Sequence, residues 1–129
     1  MSPDQPKHDW YKFMEACSIG TTAVVVLAGP ENSARIDFGI QTKSKLLKFI
    51  ANDGLERRTF VNCREWEKSN VPGRWVDAYQ FYSGDKAGYV AFCFCDQMNK
   101  WYIKSFHKEP NPKEFRNLAF AHLGNLLKQ

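Results

Sequence analysis

The chain lacks most features that would assign it to a class at sight. Its opening residues, Met1-Ser-Pro-Asp-Gln-Pro6, contain no apolar stretch of the kind found in a secretory leader. No run approaches the ~20 apolar residues that a membrane helix requires. Neither a basic nor an acidic tail is present: each half, divided after Arg64, holds nine basic and seven acidic residues. No phosphate-binding P-loop, GxSxG elbow, HExxH zinc pair or dinucleotide fingerprint occurs. Cysteines number only four, and the adjacent pair Cys93 and Cys95 has no second pair at zinc-binding spacing. No metal and no cofactor is therefore expected. The two cysteines lie in the apolar run 90–95 and read as small hydrophobic filler. Free thiols and the absence of a leader make a reducing cytoplasm the expected compartment, with no membrane partner.

Aromatic residues, by contrast, are abundant. Ten Phe, five Tyr and four Trp make up 15% of 129 residues, a supply that suits a core and also a binding surface. With 43% hydrophobic and 25% charged residues the composition is that of a globular chain. One domain over 1–129 is expected, with residues 1–6 a loose arm. The net charge of +4 suits contact with nucleic acid and suits an ordinary solvated surface equally.

Periodicity gives an α+β fold with a mainly antiparallel sheet. Trp10, Phe13, Met14 and Cys17 form one helical face in a helix over about 6–18, with Asp4 or Gln5 near its start. Residues 21–27 are β-branched and stop at Gly29-Pro30. Ile36, Phe38 and Ile40 alternate with Arg35 and Asp37, so 21–27 and 34–40 read as an N-terminal hairpin. A second helix spans about 43–52, with Thr42 as cap, Leu46, Leu47 and Ile50 as apolar face, and Gly54 beyond its end. Residues 57–62 suit a strand. The polar stretch 63–74, which includes Trp66, reads as a loop or helix fragment. Strands over 75–82, 88–95 and 100–107, joined by turns at 83–86 and 96–99, form a three-stranded meander. Asn111-Pro112 opens a last helix, with His122 on its apolar face.

The basic end of the meander is the best candidate for chemistry. Simple alternation places Trp101, Ile103, Ser105 and His107 on one face of the last strand, and Tyr102, Lys104, Phe106 and Lys108 on the other. Both faces then mix polar and apolar groups, which suggests a cleft near 104–108. Metal-free RNA cleavage requires a proton acceptor, a proton donor and cations around the phosphorane. His107 is suited to exchange a proton, and Lys104, Lys108, Arg74 or Arg58 to hold phosphate charge. Tyr79, Tyr82 or Tyr102 would stack on bases, and Arg57 lies beside Arg58.

Three segments also resemble a known superfamily. Trp75-Val-Asp-Ala-Tyr79, Tyr89-Val-Ala-Phe92 and Trp101-Tyr-Ile-Lys-Ser-Phe-His-Lys108 are similar to the strand series of RelE-like and MqsR-like bacterial toxins. Ile103 to Lys108 with the following Pro-initiated helix resembles the end of HigB-like members. The similarity covers roughly residues 75–120. It implies a small sheet with helices on one side, and an endoribonuclease of a toxin–antitoxin system that uses no metal. The partners it implies are mRNA or the ribosome, and an antitoxin. Carried over, it favours Lys104 and His107 as catalytic residues with Arg74 and Tyr79 as helpers, and the hairpin over 21–40 is an addition to that layout. Arg57, Arg58, Tyr82, Tyr102 and Lys108 are the candidate nucleic-acid contacts. Two readings stay open beside it: a protein-interaction module, such as a phage-encoded inhibitor or immunity-type protein, and a nucleic-acid binder that does not cleave.

Overall fold

The computed structural model describes residues 5–66 and 74–109. Helix α1 (Trp10–Ile19) starts at Asp9, whose carboxylate accepts from the Tyr11 and Lys12 amides at 2.8 and 3.2 Å. The helix is capped by Asp9 and so begins at Trp10 rather than near residue 6. Trp10, Phe13 and Cys17 are buried as their spacing predicts. Strand β1 (Val24–Val26) follows, then helix α2 (Ala28–Phe38), helix α3 (Lys43–Ala51) and four strands: β2 (Glu56–Glu65), β3 (Trp75–Ser83), β4 (Lys86–Cys95) and β5 (Lys100–Lys108).

The N-terminal hairpin does not form, because residues 34–40 belong largely to α2. Pro30, Ala34 and Phe38 repeat at helical spacing, and Pro30 and Ala34 are buried while Ile36 is 69% exposed. A strand would have buried Ile36 together with Phe38. Proline in the first helical turn removes no intrahelical bond. Gly39, at φ 68°, takes the left-handed C-terminal position that glycine fills best. Helix α3 matches expectation: the Thr42 side chain accepts from the Lys45 amide at 3.1 Å, and Leu46, Leu47 and Ile50 are buried. Residues 63–65, expected in a loop, extend β2. The expected C-terminal helix and His122 lie outside the described residues.

Among the described residues the sheet has five strands in the order β1-β5-β4-β3-β2. It is mixed rather than mainly antiparallel by design of its edge: β1 runs parallel to β5, with Val24, Val25 and Val26 opposite Trp101, Tyr102 and Ile103. Strands β2 to β5 form the antiparallel part, so the meander gains a fourth strand. Among the described residues, the three helices all pack against one face, here called the near face. Phe81, Val90, Phe92, Ile103 and Phe106 project from it into the core formed with Phe13, Leu46, Leu47 and Ile50. Glycine at position 88 is required by this packing, since a Cβ there would lie 2.3 Å from the ring of buried Phe81. Among the described residues no helix is long and apolar enough to cross a membrane.

Near-face burial also bears on the response to pH. Burial pushes the Cys17 thiol up to about 12, and burial with the hydrogen-bonded, negatively charged Asp77 pushes Cys63 there too. Burial, followed by Asp77, raises Tyr79 to about 12. These groups keep their protons longer in the folded chain than in the unfolded one. Their stabilising contribution is complete below about pH 9 and is lost as pH rises towards 12. Thermal melts stepped from pH 8 to 11 should show a steadily falling midpoint. A flat profile would contradict the burial of these groups.

Candidate nucleic-acid interface

The opposite, far face gathers a basic and aromatic set through one irregularity in β5. Along β4 and β5, Phe92 pairs with Ile103 but Ala91 pairs with Ser105, so Lys104 is an extra residue. This is a β-bulge, in which two residues of one strand oppose one of its partner. It shifts the alternation by one. Trp101, Ile103 and Phe106 therefore all face the core, while Tyr102, Lys104, Ser105 and His107 all serve the far face. The mixed character of both faces of β5, read from the sequence as a cleft, comes from this change of phase.

Around the bulge the neighbouring strands contribute further groups. Arg74 lies between two aromatic rings, 5.7 Å from the Trp66 centroid and 5.8 Å from that of Tyr102. Its guanidinium donates to the buried Cys95 sulfur at 2.8 Å. The exposed Lys104 ammonium lies 5.8 Å over the Trp66 ring. Cations at such distances from aromatic faces are attracted by the ring quadrupole. Trp66 and Arg74 are held opposite each other by a backbone bond of 2.8 Å, which continues the β2–β3 ladder. Burial pushes the nearby Cys93 thiol up to about 11, so it serves as neutral packing beside Val76, Ala78 and Ala91.

His107 stacks on Tyr89, its cross-strand partner, with ring centroids 5.1 Å apart and an interplanar angle of 18°. Its Nδ1 lies 2.9 Å from the Lys108 carbonyl oxygen. A carbonyl only accepts, so Nδ1 is the donor in this contact, and in the neutral form of the ring the lone pair is on Nε2. Burial raises the Tyr89 phenol; Arg64 opposes the shift and Glu109 adds to it. A small depression of about 90 Å³ lies beside this pair. It is lined by Asn62 and Arg64 of β2, Tyr89 of β4, and Lys104 and Ser105 of β5, with Glu65 also on its wall and alanines at its floor.

The residues singled out in the sequence divide between the two faces. Lys104, His107, Arg74 and Tyr102 come together on the far face. Tyr82 is also there, buried, with the Arg57 guanidinium 4.0 Å above its ring. Tyr79 and Arg58 do not join them. Tyr79 is buried on the near face 4.9 Å from the Trp10 ring, and Arg58 lies 4.4 Å over that same ring. The Lys108 amide donates to Asp37 of α2 at 2.9 Å, on the near side. Arg64, Asn62, Ser105 and Tyr89 join the far-face set; Arg64 escapes the sequence reading because it falls in a polar stretch that resembles a loop.

Among the described residues no three His, Cys, Asp or Glu side chains converge to hold a metal ion. No family model, curated protein or solved structure matches this chain.

Proposed function

We propose that the far face binds single-stranded RNA and that Lys104 and His107 cleave it, as in a toxin of a toxin–antitoxin pair. The observation that carries this reading is the bulge at Lys104, which collects Tyr102, Lys104, Ser105 and His107 on the same face as Arg64, Arg74 and Tyr89. Aromatic groups interleaved with cations suit an unpaired strand, whose bases stack while its phosphates are neutralised. A sheet with helices on one side is also the layout implied by the resemblance to RelE-, MqsR- and HigB-like toxins. Residues 34–40, as a helix rather than a hairpin strand, no longer depart from it.

The chemistry needs no group from outside the chain. His107 Nε2 takes the proton from the ribose 2′-hydroxyl, whose oxygen attacks the adjacent phosphorus. The P–O bond to the 5′ oxygen breaks, and that oxygen takes a proton from the Lys104 ammonium. The products are a 2′,3′-cyclic phosphate and a free 5′-hydroxyl. Lys104 and Arg74 meanwhile face the charge that builds on the phosphorane oxygens. An antitoxin would be the protein partner.

The test is purified protein incubated with RNA, with and without ribosomes. Lys104→Ala and His107→Ala should each lower the cleavage rate by about 100-fold or more. Cleavage unchanged in both would remove the site assignment. Binding without cleavage in the wild type would favour a nucleic-acid binder. Neither binding nor cleavage, with no arrest of growth on expression, would favour a protein-interaction module.

A further inference from the structure

Resting on the RNA reading above, we infer that the depression between β2 and the β5 bulge is a seat for a single phosphoryl group, with Arg64 as its principal anchor. Four residues whose side chains can donate hydrogen bonds line it: Arg64, Lys104, Ser105 and Asn62. That set matches a tetrahedral anion, which accepts in several directions at once. Its volume of about 90 Å³ is small beside the ~150 Å³ of a cavity known to take a benzene ring, a size that suits a phosphoryl group better than a nucleobase.

The surroundings define where a base would go. The floor is closed by Val76, Ala78 and Ala91, small side chains that bring no competing polar group. Tyr89 forms one wall and carries His107 stacked on its ring. A strand held by one phosphate in the seat would lie beside Tyr89, on whose ring His107 is stacked. Lys104 borders both the seat and the reacting phosphate of the proposed cleavage, whereas Arg64 is assigned no reacting atom and holds the strand in register, so it is a positioning residue. Arg64 is exposed and on the edge strand, hence Arg64→Gln leaves the core packing intact. Glu65 shares the wall, so the seat is not uniformly basic.

The phosphoryl group has two sources, an internal phosphodiester or a terminal phosphate, and the experiment separates them. A fluorescent oligoribonucleotide is titrated with wild-type protein, Arg64→Gln, Asn62→Ala and the remote control Lys48→Gln. Competitors are adenylyl-adenosine, which has one phosphodiester, adenosine 5′-monophosphate, inorganic phosphate and plain adenosine. Arg64→Gln should weaken binding about tenfold and reduce the salt slope by about one ion. Asn62→Ala should weaken it less, and Lys48→Gln should have no effect. Phosphate-bearing competitors should displace the oligonucleotide and adenosine should not. Stronger displacement by adenylyl-adenosine identifies the internal phosphodiester, and stronger displacement by the monophosphate identifies an RNA end. RNA binding that persists with equal affinity and salt slope in Arg64→Gln overturns the seat while leaving the RNA reading intact. If the wild type binds no RNA, the RNA reading fails. Calorimetry with inorganic phosphate then decides the seat: uptake lost in Arg64→Gln supports it, and no uptake by the wild type overturns it.

Discussion

Phe92→Ala should lower the unfolding free energy by about 4 kcal/mol, close to the whole stability of many small domains. Phe92 is fully buried at the centre of an aromatic cluster on the near face. Phe13 of α1 lies parallel to it, with centroids 3.9 Å apart and planes within 1°. Tyr79 stacks on it at 5.9 Å, and Trp10 and Trp101 meet it at 5.6 and 6.0 Å. Removing the ring loses its transfer energy and leaves a cavity that the surrounding aromatic groups cannot collapse to fill. Phe92→Leu keeps much of the volume and should cost roughly half as much. Urea unfolding followed by tryptophan fluorescence measures both. A loss below about 1 kcal/mol for the alanine variant would show that α1 is not held by this cluster.

The second large effect is expected at Asp77, which the sequence marks only as a polar residue in an aromatic strand. It is fully buried on the near face. Its two oxygens accept from the backbone amides of Lys7 and His8 at 3.0 and 2.8 Å, and the Cys63 thiol is bonded to it as well. The ring of His8 adds a contact from Nε2 to the Trp75 carbonyl at 2.9 Å, and the Lys7 ammonium lies 4.9 Å over the Trp75 ring. Bonds to a buried charged acceptor are worth more than neutral ones, and the stranded amides would lose their partner. Asp77→Ala should therefore cost about 3 kcal/mol. Hydrogen exchange at Lys7 and His8 should rise by at least as much as the global opening. Unchanged protection of those two amides would show that the carboxylate does not fasten the arm.

Local chemistry explains which elements are readable along the chain. Helix α3 is legible because Thr42 caps it and Leu46, Leu47 and Ile50 share a face, all within one short window. The turn at Gly84-Asp85 is legible because glycine there adopts φ 61°, and Ser83 and Lys86 already pair across it. Helix α2 is not, because Ile36, Phe38 and Ile40 satisfy a strand pattern while Pro30, Ala34 and Phe38 satisfy a helical one. What selects the helix is nonlocal: β1 finds its partner in β5, so no neighbouring strand is needed. The candidate site divides in the same way. Lys104, His107, Arg74 and Tyr102 are visible as residue types near a strand end. Their common face depends on one extra residue opposite Ala91, which alternation alone cannot reveal. Tyr79 carries the same side chain as Tyr82 and Tyr102, yet its place in the alternation sends it into the core.

The parallel pairing of β1 with β5 also dictates an order of events during synthesis. Val24 to Val26 emerge early, but Trp101 to Ile103 must follow before they can be paired. The carboxylate that fastens Lys7 and His8 likewise arrives some seventy residues later. Until β5 is made, the growing chain presents the unpaired edges of β1 and β4, with apolar side chains beside them. Such late closure between distant segments slows folding, since the loop must be closed before the contact rewards it. Among the described residues β5 is the strand that closes the sheet, and it is also the one that bears Lys104 and His107. A truncated or still incomplete chain therefore has neither a finished sheet nor the proposed RNA site, and both arise in the same step.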